Sequence, residues 1–339
     1  MSKAQALAKE LNKVLGADMV KMANDPSFAV TVLPTGVLPI DVLIDGGLPR
    51  GRFTELYGAY STLKSYVALC AIATTQLDGG TAALIDTEHS YDRAWAEALG
   101  VDTDNLILQR PTSGEEAVDV TEALVRAEID LIVWDSVAAT LPAAERDKRE
   151  SGEKHQPARL AALMSRATRK LTAANKKTAI LWINQTRMSI GVTFGNPEVV
   201  PGGKSLPFYS SYRVSIRRSG RTTRDKKVWT GEKFTTLKET TQHGITAVVE
   251  KSKLSAPTGA VHFKFDLENG EVDEVGFLIS WALENGHINK NGSQWTDTLT
   301  GETYHGQAKL RLALEGDEEW INRLYSTCLG SLAHRNSMD

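Results

Sequence analysis

Ala4, Leu7, Leu11 and Leu15 recur at helical spacing, with lysines and glutamate between them. This predicts a short amphipathic helix over residues 2–16, ahead of the first convincing strand. Such a helix either folds back on its own domain or serves as an arm that docks its leucines on a neighbouring copy. From residue 30 to 220 the pattern alternates between strand-like and helix-like segments, which predicts an α/β fold around a mostly parallel sheet. Residues 53–57 form a strand that runs into a glycine turn. Residues 81–86 and 130–135 are apolar runs that end in carboxylates, and residues 179–185 end in amides. Ligands of open α/β sheets bind outside the carboxyl ends of the strands, so these four polar ends should converge on one site.

Two stretches break the alternation. Residues 145–157 are charged and without apolar period, and residues 186–207 are rich in Gly and Pro. Irregular segments this long inside a compact domain are usually functional or disordered. Beyond Phe265 the character changes: a helix is expected over 275–286, turns over 295–304, and helix again over 307–329. Three parts follow: 1–30, 31–267 and 268–339.

Composition narrows the picture only a little. In 339 residues, 41% hydrophobic and 24% charged positions describe an ordinary globular chain with a sizeable core. The formal net charge of -3 supplies no global attraction to nucleic acid, so any DNA binding must come from local basic loops. Cys70 and Cys328 form no CxxC pair and read as buried or partly buried thiols of a reducing compartment. The histidines lack zinc-ligand spacing. Neither a membrane span nor a signal-peptide core is expected, which points to the cytoplasm.

The chemistry begins at Gly58-Ala59-Tyr60-Ser61-Thr62-Leu63-Lys64-Ser65, which follows a strand and opens a helix. A phosphate-binding loop needs this context, because loop amides and the helix amino terminus hold the phosphates. Lys64 would neutralise phosphate charge and Ser65 would bind Mg²⁺. Leu63 stands where the motif usually has glycine, and we expect it to keep an ordinary helical conformation with its side chain in apolar packing. Asp135, at the end of a strand, suits a carboxylate near Mg²⁺ or a helix cap. Glu88 suits a base that orients water.

Longer strings then match a known family. Ile85-Asp86-Thr87-Glu88-His89, Trp134-Asp135-Ser136, Ile183-Asn184-Gln185-Thr186-Arg187-Met188 and Ile190-Gly191-Val192-Thr193-Phe194-Gly195-Asn196-Pro197-Glu198 closely resemble the bacterial RecA recombinases, in order, from about residue 2 to about residue 325. The resemblance implies a RecA-like P-loop ATPase core, an amino-terminal polymerisation arm and a small α+β carboxyl-terminal domain that admits duplex DNA. It implies ATP and Mg²⁺ as cofactors, with Gly58, Ser61, Thr62, Leu63, Lys64 and Ser65 at the phosphates. Ser65 and Asp135 would lie at the metal, Glu88 would be the catalytic glutamate, and Gln185 would sense the γ-phosphate. Asp92 and Trp95 match adenine contacts, with Trp95 replacing a tyrosine. Lys251 and Lys253 match lysines that reach ATP from the adjacent protomer.

The two irregular segments resemble the family's DNA-binding loops. The resemblance implies DNA contacts at Ser165, Arg169, Arg187, Ile190, Gly202, Gly203 and Lys204, with Ile190 inserting between bases. In the more divergent first loop, His155 and Arg159 are the best candidates. The implied partners are single-stranded and double-stranded DNA, a homo-oligomeric helical filament, and single-strand-binding or loader proteins. The implied function is ATP-dependent homologous pairing and strand exchange. Two departures stand out: residues 331–339 lack an acidic tail, and Leu63 resembles the recombinases of T4-like phages, which would place the protein in a host cytoplasm. A hexameric helicase and a DNA-coating paralogue without turnover are the competing readings.

Overall fold

The computed structural model describes residues 1–16, 19–146, 157–188, 198–229, 234–254 and 259–335. They fall into two compact units, 1–32 and 33–339. In the first, the expected helix spans Lys3–Leu15. The Ser2 hydroxyl accepts the Gln5 amide at 3.2 Å while the Gln5 side chain takes the Ser2 amide at 2.7 Å, so two orphan donors are satisfied reciprocally. Gly16, at φ 111°, ends the helix. No residue of the helix is buried, and Leu7 and Leu15 are 54% and 55% exposed.

The second unit is built on a nine-stranded sheet. In chain order its strands are β1 (Phe53–Gly58), β2 (Ala82–Asp86), β3 (Ile107–Gln109), β4 (Leu131–Asp135), β5 (Ala179–Gln185), β6 (Tyr212–Trp229), β7 (Phe234–Ser252), β8 (Ala260–Asp266) and β9 (Glu271–Val272). Their spatial order is β9-β8-β7-β6-β1-β5-β4-β2-β3. The run from β6 to β3 is parallel throughout, and β7, β8 and β9 extend it antiparallel.

Both faces of the parallel strands are covered, as their near-continuous apolar runs require. Leu131 and Val133 of β4, with Leu181 and Ile183 of β5, join one cluster under the helix Lys64–Leu77. Ile132, Trp134, Ile180 and Trp182 join the other, against the helices Gly114–Arg126 and Pro157–Ala174. Alternate side chains along a strand point to opposite faces, which divides each run between the two layers.

Beyond residue 268 the expected helix forms over Glu274–Glu284; where turns were expected a small sheet of Ile288–Asn291, Gln294–Asp297 and Thr303–His305 forms, and the single helix expected over 307–329 is two, Gln307–Glu315 and Glu318–Arg335. Phe277, Trp281, Leu310, Trp320 and Cys328 share one hydrophobic cluster with the helix Lys64–Leu77, so packing continues across residue 268. Under this junction lies Asp41, 2% exposed, whose carboxylate accepts the Thr35 amide at 2.8 Å. Burial raises Asp41 to about 7, against those hydrogen bonds, and nearby Glu274 adds to the rise. Neither cysteine is in a disulfide among the described residues, Cys70 being half-buried and Cys328 buried.

One element is absent from the sequence expectation. β6 and β7 are 18 and 19 residues long and form an antiparallel hairpin. β6 pairs with β1 only over 212–216, and β7 pairs with β8 only over 242–248. From Thr223 opposite Thr240 to Trp229 opposite Phe234, no third strand flanks the hairpin among the described residues. Residues 217–227 are all exposed.

Candidate functional site

Parallel pairing sets Gly58 opposite Gln185 and Asp86 opposite Asp135, so the four polar strand ends meet at one edge of the sheet as expected. β1 runs through the phosphate-loop sequence into the helix Lys64–Leu77. Gly58 is required there: a Cβ would lie 2.1 Å from the Ile216 carbonyl oxygen. Leu63 departs from expectation. It lies at φ 66°, ψ 11°, in the left-handed region rather than the helical one, because the chain must reverse sharply before the helix begins. Its side chain packs against the hydrophobic cluster, as expected. Ser61 also has positive φ, at 53°.

The Lys64 ammonium is buried and donates to the Ala59 carbonyl at 2.7 Å and to Thr62 Oγ1 at 3.3 Å. Burial lowers its pKa, against the pull of Asp135 and Glu88. Ser65 Oγ donates to Asp135 Oδ2 at 2.7 Å. Burial pushes Asp135 up to about 6, against that hydrogen bond, and Glu88 adds to the rise. Glu88 Oε1 accepts the Ser136 hydroxyl at 2.5 Å and also a hydrogen bond from Gln185 Nε2. Lys64, Ser65, Glu88, Asp135 and Gln185 are thus one connected constellation.

Asp92 caps the helix Arg93–Ala98 by accepting the Trp95 amide at 2.9 Å, and the Trp95 ring is 43% exposed. Both line a pocket with Ser65, Tyr91 and Asp135, which places an exposed indole beside the phosphate loop. A hydroxyl bonded to a single carboxylate suits Mg²⁺, which is commonly held by one or two carboxylates together with substrate phosphates and water. Among the described residues no group of three or more His, Cys, Asp or Glu gathers to hold a metal, and such a site needs none.

The model of the RecA N-terminal domain family matches residues 3–270. The chain belongs to the RecA family. It is 40% identical to Protein RecA of Clostridioides difficile over 317 residues, covering 89% of this chain and 86% of that one. It is 42% identical to Protein RecA of Mycobacteroides abscessus over 295 residues, covering 85% and 80%. With Protein RecA of Thermus thermophilus the identity is 39% over 313 residues, covering 91% and 86%. As a RecA-family recombinase the protein is a DNA-dependent ATPase that binds DNA, forms filaments and carries out strand exchange. No helix among the described residues is long and apolar enough to cross a membrane.

The family's DNA-loop positions are only partly within reach. His155 and Ile190 lie outside the described residues. Arg187 is exposed, on a strand that pairs with Glu198–Val199, and donates to the Ala138 carbonyl at 3.2 Å. Gly202 and Gly203 have φ of 96° and 73°, and a Cβ on Gly203 would lie 2.6 Å from Ala161 Cβ. Gly203 therefore seats the segment's end on the helix that carries Ser165 and Arg169, while Gly202 packs against Leu206 and Val137. Arg169 and Lys204 are exposed. Arg159 donates to the Ala144 carbonyl at 2.8 Å. Lys251 Nζ donates to the carbonyls of Pro207, Phe208 and Ser210, and Lys253 Nζ to that of Tyr209 at 3.3 Å, so both crown the end of the helix Ser205–Tyr209.

Five contacts escaped the sequence reading. Glu55, fully buried, binds Arg213 at 2.6 Å and Asn184 Nδ2 at 3.0 Å, and Asn184 Nδ2 also reaches the Pro201 carbonyl at 2.9 Å. Arg218 Nε donates to the Ser61 carbonyl at 3.0 Å. Arg217 pairs with Glu198 at 3.4 Å. Only the unbroken Arg217-Arg218 pair after an apolar strand could have signalled the last two.

Proposed function

We propose that the constellation around Glu88 couples nucleotide state to the second DNA loop in ATP-driven strand exchange. The observation that carries this is the hydrogen bond from Gln185 to Glu88. Gln185 ends β5, and its neighbour Asn184 holds Pro201 at the far side of that loop.

On this reading Lys64 and the amides that follow Gly58 hold the phosphates of ATP. Ser65 and Asp135 hold Mg²⁺, which would neutralise developing charge on the phosphates. Glu88 orients the water that attacks, and Ser136 fixes its carboxylate. Trp95 offers its face to adenine beside Asp92. Lys251 and Lys253 serve a neighbouring protomer's nucleotide, and residues 1–30 dock that neighbour. Arg169, Arg187, Lys204 and the Gly202-Gly203 backbone hold single-stranded DNA, with Ile190 as the wedge between bases. Residues 268–339 admit the duplex. The protein works in the cytoplasm, alongside single-strand-binding or loader proteins.

Electron microscopy with single-stranded DNA and a non-hydrolysable ATP analogue tests the assembly. Helical filaments are expected, whereas closed rings would point to a hexameric motor.

A further inference from the structure

Asp86 closes β2 and is 2% exposed, and nothing above gives its carboxylate a part in the chemistry. Parallel pairing sets Ile85 opposite Gln109, so the next residue of the edge strand, Arg110, comes alongside Asp86. Pro111, buried and without an amide to donate, ends the strand there. Arg110 Nε donates to Asp86 Oδ2 at 3.2 Å, and its Nη2 donates to the Tyr91 carbonyl at 3.3 Å. Asp86 in turn accepts the Ser90 amide on Oδ1 and the Tyr91 amide on Oδ2, both at 3.1 Å. Both ends of the segment 86–91 are thus tied to one guanidinium.

The segment between those ends carries Glu88. His89, beside it, lies at φ 54°, a left-handed conformation that a residue with a Cβ keeps only where its surroundings impose it. On one side of Glu88, Thr87 is fixed to β4: its amide donates to the Asp135 carbonyl at 2.9 Å and its hydroxyl to that of Ser136 at 2.6 Å. On the other side the hold is that of Asp86 on the Ser90 and Tyr91 amides. Asp86 sits in an acidic corner, paired opposite Asp135, which is raised by burial and then by Glu88 and Asp86. Among the described residues, Arg110 is the one basic side chain within 4.0 Å of Asp86. Past the turn, Ser90, Tyr91, Asp92 and Trp95 line the pocket beside the phosphate loop.

We propose that Arg110 is a positioning residue for ATP hydrolysis, whose forked guanidinium fixes Glu88 within the turn and the adenine wall of Asp92 and Trp95 beyond it. This rests on the reading above of Glu88 as the group that orients water and of Trp95 as the adenine platform. Arg110 does not line the pocket, and its side chain is 45% exposed, so it acts through Asp86 and Tyr91. The planar guanidinium presents two N–H donors at a fixed angle to two acceptors, a carboxylate and a carbonyl. A lysine ammonium would keep the charge and lose the fork. Ion pairs with an exposed partner contribute little to overall stability, so the fork supplies geometry more than stability.

The test uses the full-length protein carrying Arg110→Ala or Arg110→Lys, with melting curves to check folding. Turnover stimulated by single-stranded DNA should fall about ten- to a hundredfold in Arg110→Ala, the scale on which a misplaced group slows a reaction. Calorimetry should show pyrophosphate bound as in wild type, because Lys64 and the phosphate loop are untouched. ADP, which adds the adenosine, should bind about two- to tenfold more weakly, the worth of a disturbed aromatic stack. Arg110→Lys should fold as wild type and recover only part of the turnover. Millimolar guanidinium chloride, far below denaturing concentrations, should raise the turnover of Arg110→Ala several-fold over an equal concentration of sodium chloride. Wild-type turnover or wild-type ADP affinity in a folded Arg110→Ala overturns the proposal, as does an equal loss of ADP and pyrophosphate binding. If Arg110→Ala does not fold, wild-type turnover in Arg110→Lys overturns it. Glu88→Gln is measured alongside: normal turnover there would remove Glu88 from the chemistry, whereas the ADP and pyrophosphate titrations still judge the hold of Arg110 on the adenine wall.

Discussion

Gln185 and Ser136 donate to the same carboxylate oxygen of Glu88, one from the end of β5 and the other from the residue after β4. The carboxylate is thereby held between a hydroxyl anchored beside Asp135 and an amide at the head of the irregular segment 186–207. Glu88→Gln should keep nucleotide-dependent DNA binding but lose roughly 10²–10⁴-fold in hydrolysis, the usual worth of a positioned base. Gln185→Ala should retain ATP binding while losing DNA stimulation of turnover. Steady-state ATPase with and without single-stranded DNA decides both, and near-normal turnover in Glu88→Gln would remove that residue from the chemistry.

Leu63 invites a second experiment. An L-residue in the left-handed region costs about 1–2 kcal/mol, and a β-branched one is more strained still. Leu63→Gly relieves that strain but gives up the packing of a half-buried leucine, worth up to about 1.5–3 kcal/mol when complete. The terms oppose, so glycine should change unfolding free energy by no more than about 1 kcal/mol. Leu63→Val should destabilise by about 1–3 kcal/mol and weaken ATP binding. Urea melts with calorimetric ATP titrations check this. A valine variant as stable as wild type would contradict the backbone conformation.

Deleting residues 1–24 should leave the melting temperature of the remaining chain almost unchanged, since the helix Lys3–Leu15 buries nothing within its own unit. Filament length in micrographs should fall sharply, because Leu7, Leu11 and Leu15 would no longer find a neighbour. Unfolding of the truncated protein would return the helix to its own core.

Asp41 makes stability depend on pH. Its folded-state pKa, about 7, lies above the unfolded carboxyl value, so the native state binds the extra proton between roughly pH 4 and 7. The contribution is full below the unfolded pKa and is lost as pH rises through the folded one. Asp41→Asn, which keeps an acceptor for the Thr35 amide, should flatten this fall and gain up to a few kcal/mol on wild type at pH 8. Denaturant melts at pH 5 and pH 8 measure it, and parallel shifts in both proteins would exclude Asp41.

Much of the nucleotide site was legible because its residues close apolar strands. Runs such as 130–135 declare themselves by burial on both faces, and parallel pairing then forces Asp86, Asp135 and Gln185 to one edge. Leu63 was misjudged because a residue type carries only a preference for φ, and here the tight turn overrules it. The hairpin was missed for a different reason: residues 217–227 are all polar, charged or glycine, with no apolar alternation to reveal a strand. Arg218 and Glu55 act through partners 157 and 158 residues away, which no local pattern encodes.

The same Arg218 bond bears on how cheaply the phosphate loop is ordered. Fixing one residue's backbone costs about 1–2 kcal/mol of conformational entropy. In this loop Arg218 holds the Ser61 carbonyl, while Thr62 and Lys64 both hold that of Ala59. The left-handed turns at Ser61 and Leu63 are therefore braced by the fold, and little disorder remains for a phosphate to quench. We therefore expect a preordered socket, whose left-handed turns at Ser61 and Leu63 are held by side chains where glycine would otherwise serve, while Gly58 stays indispensable at its start.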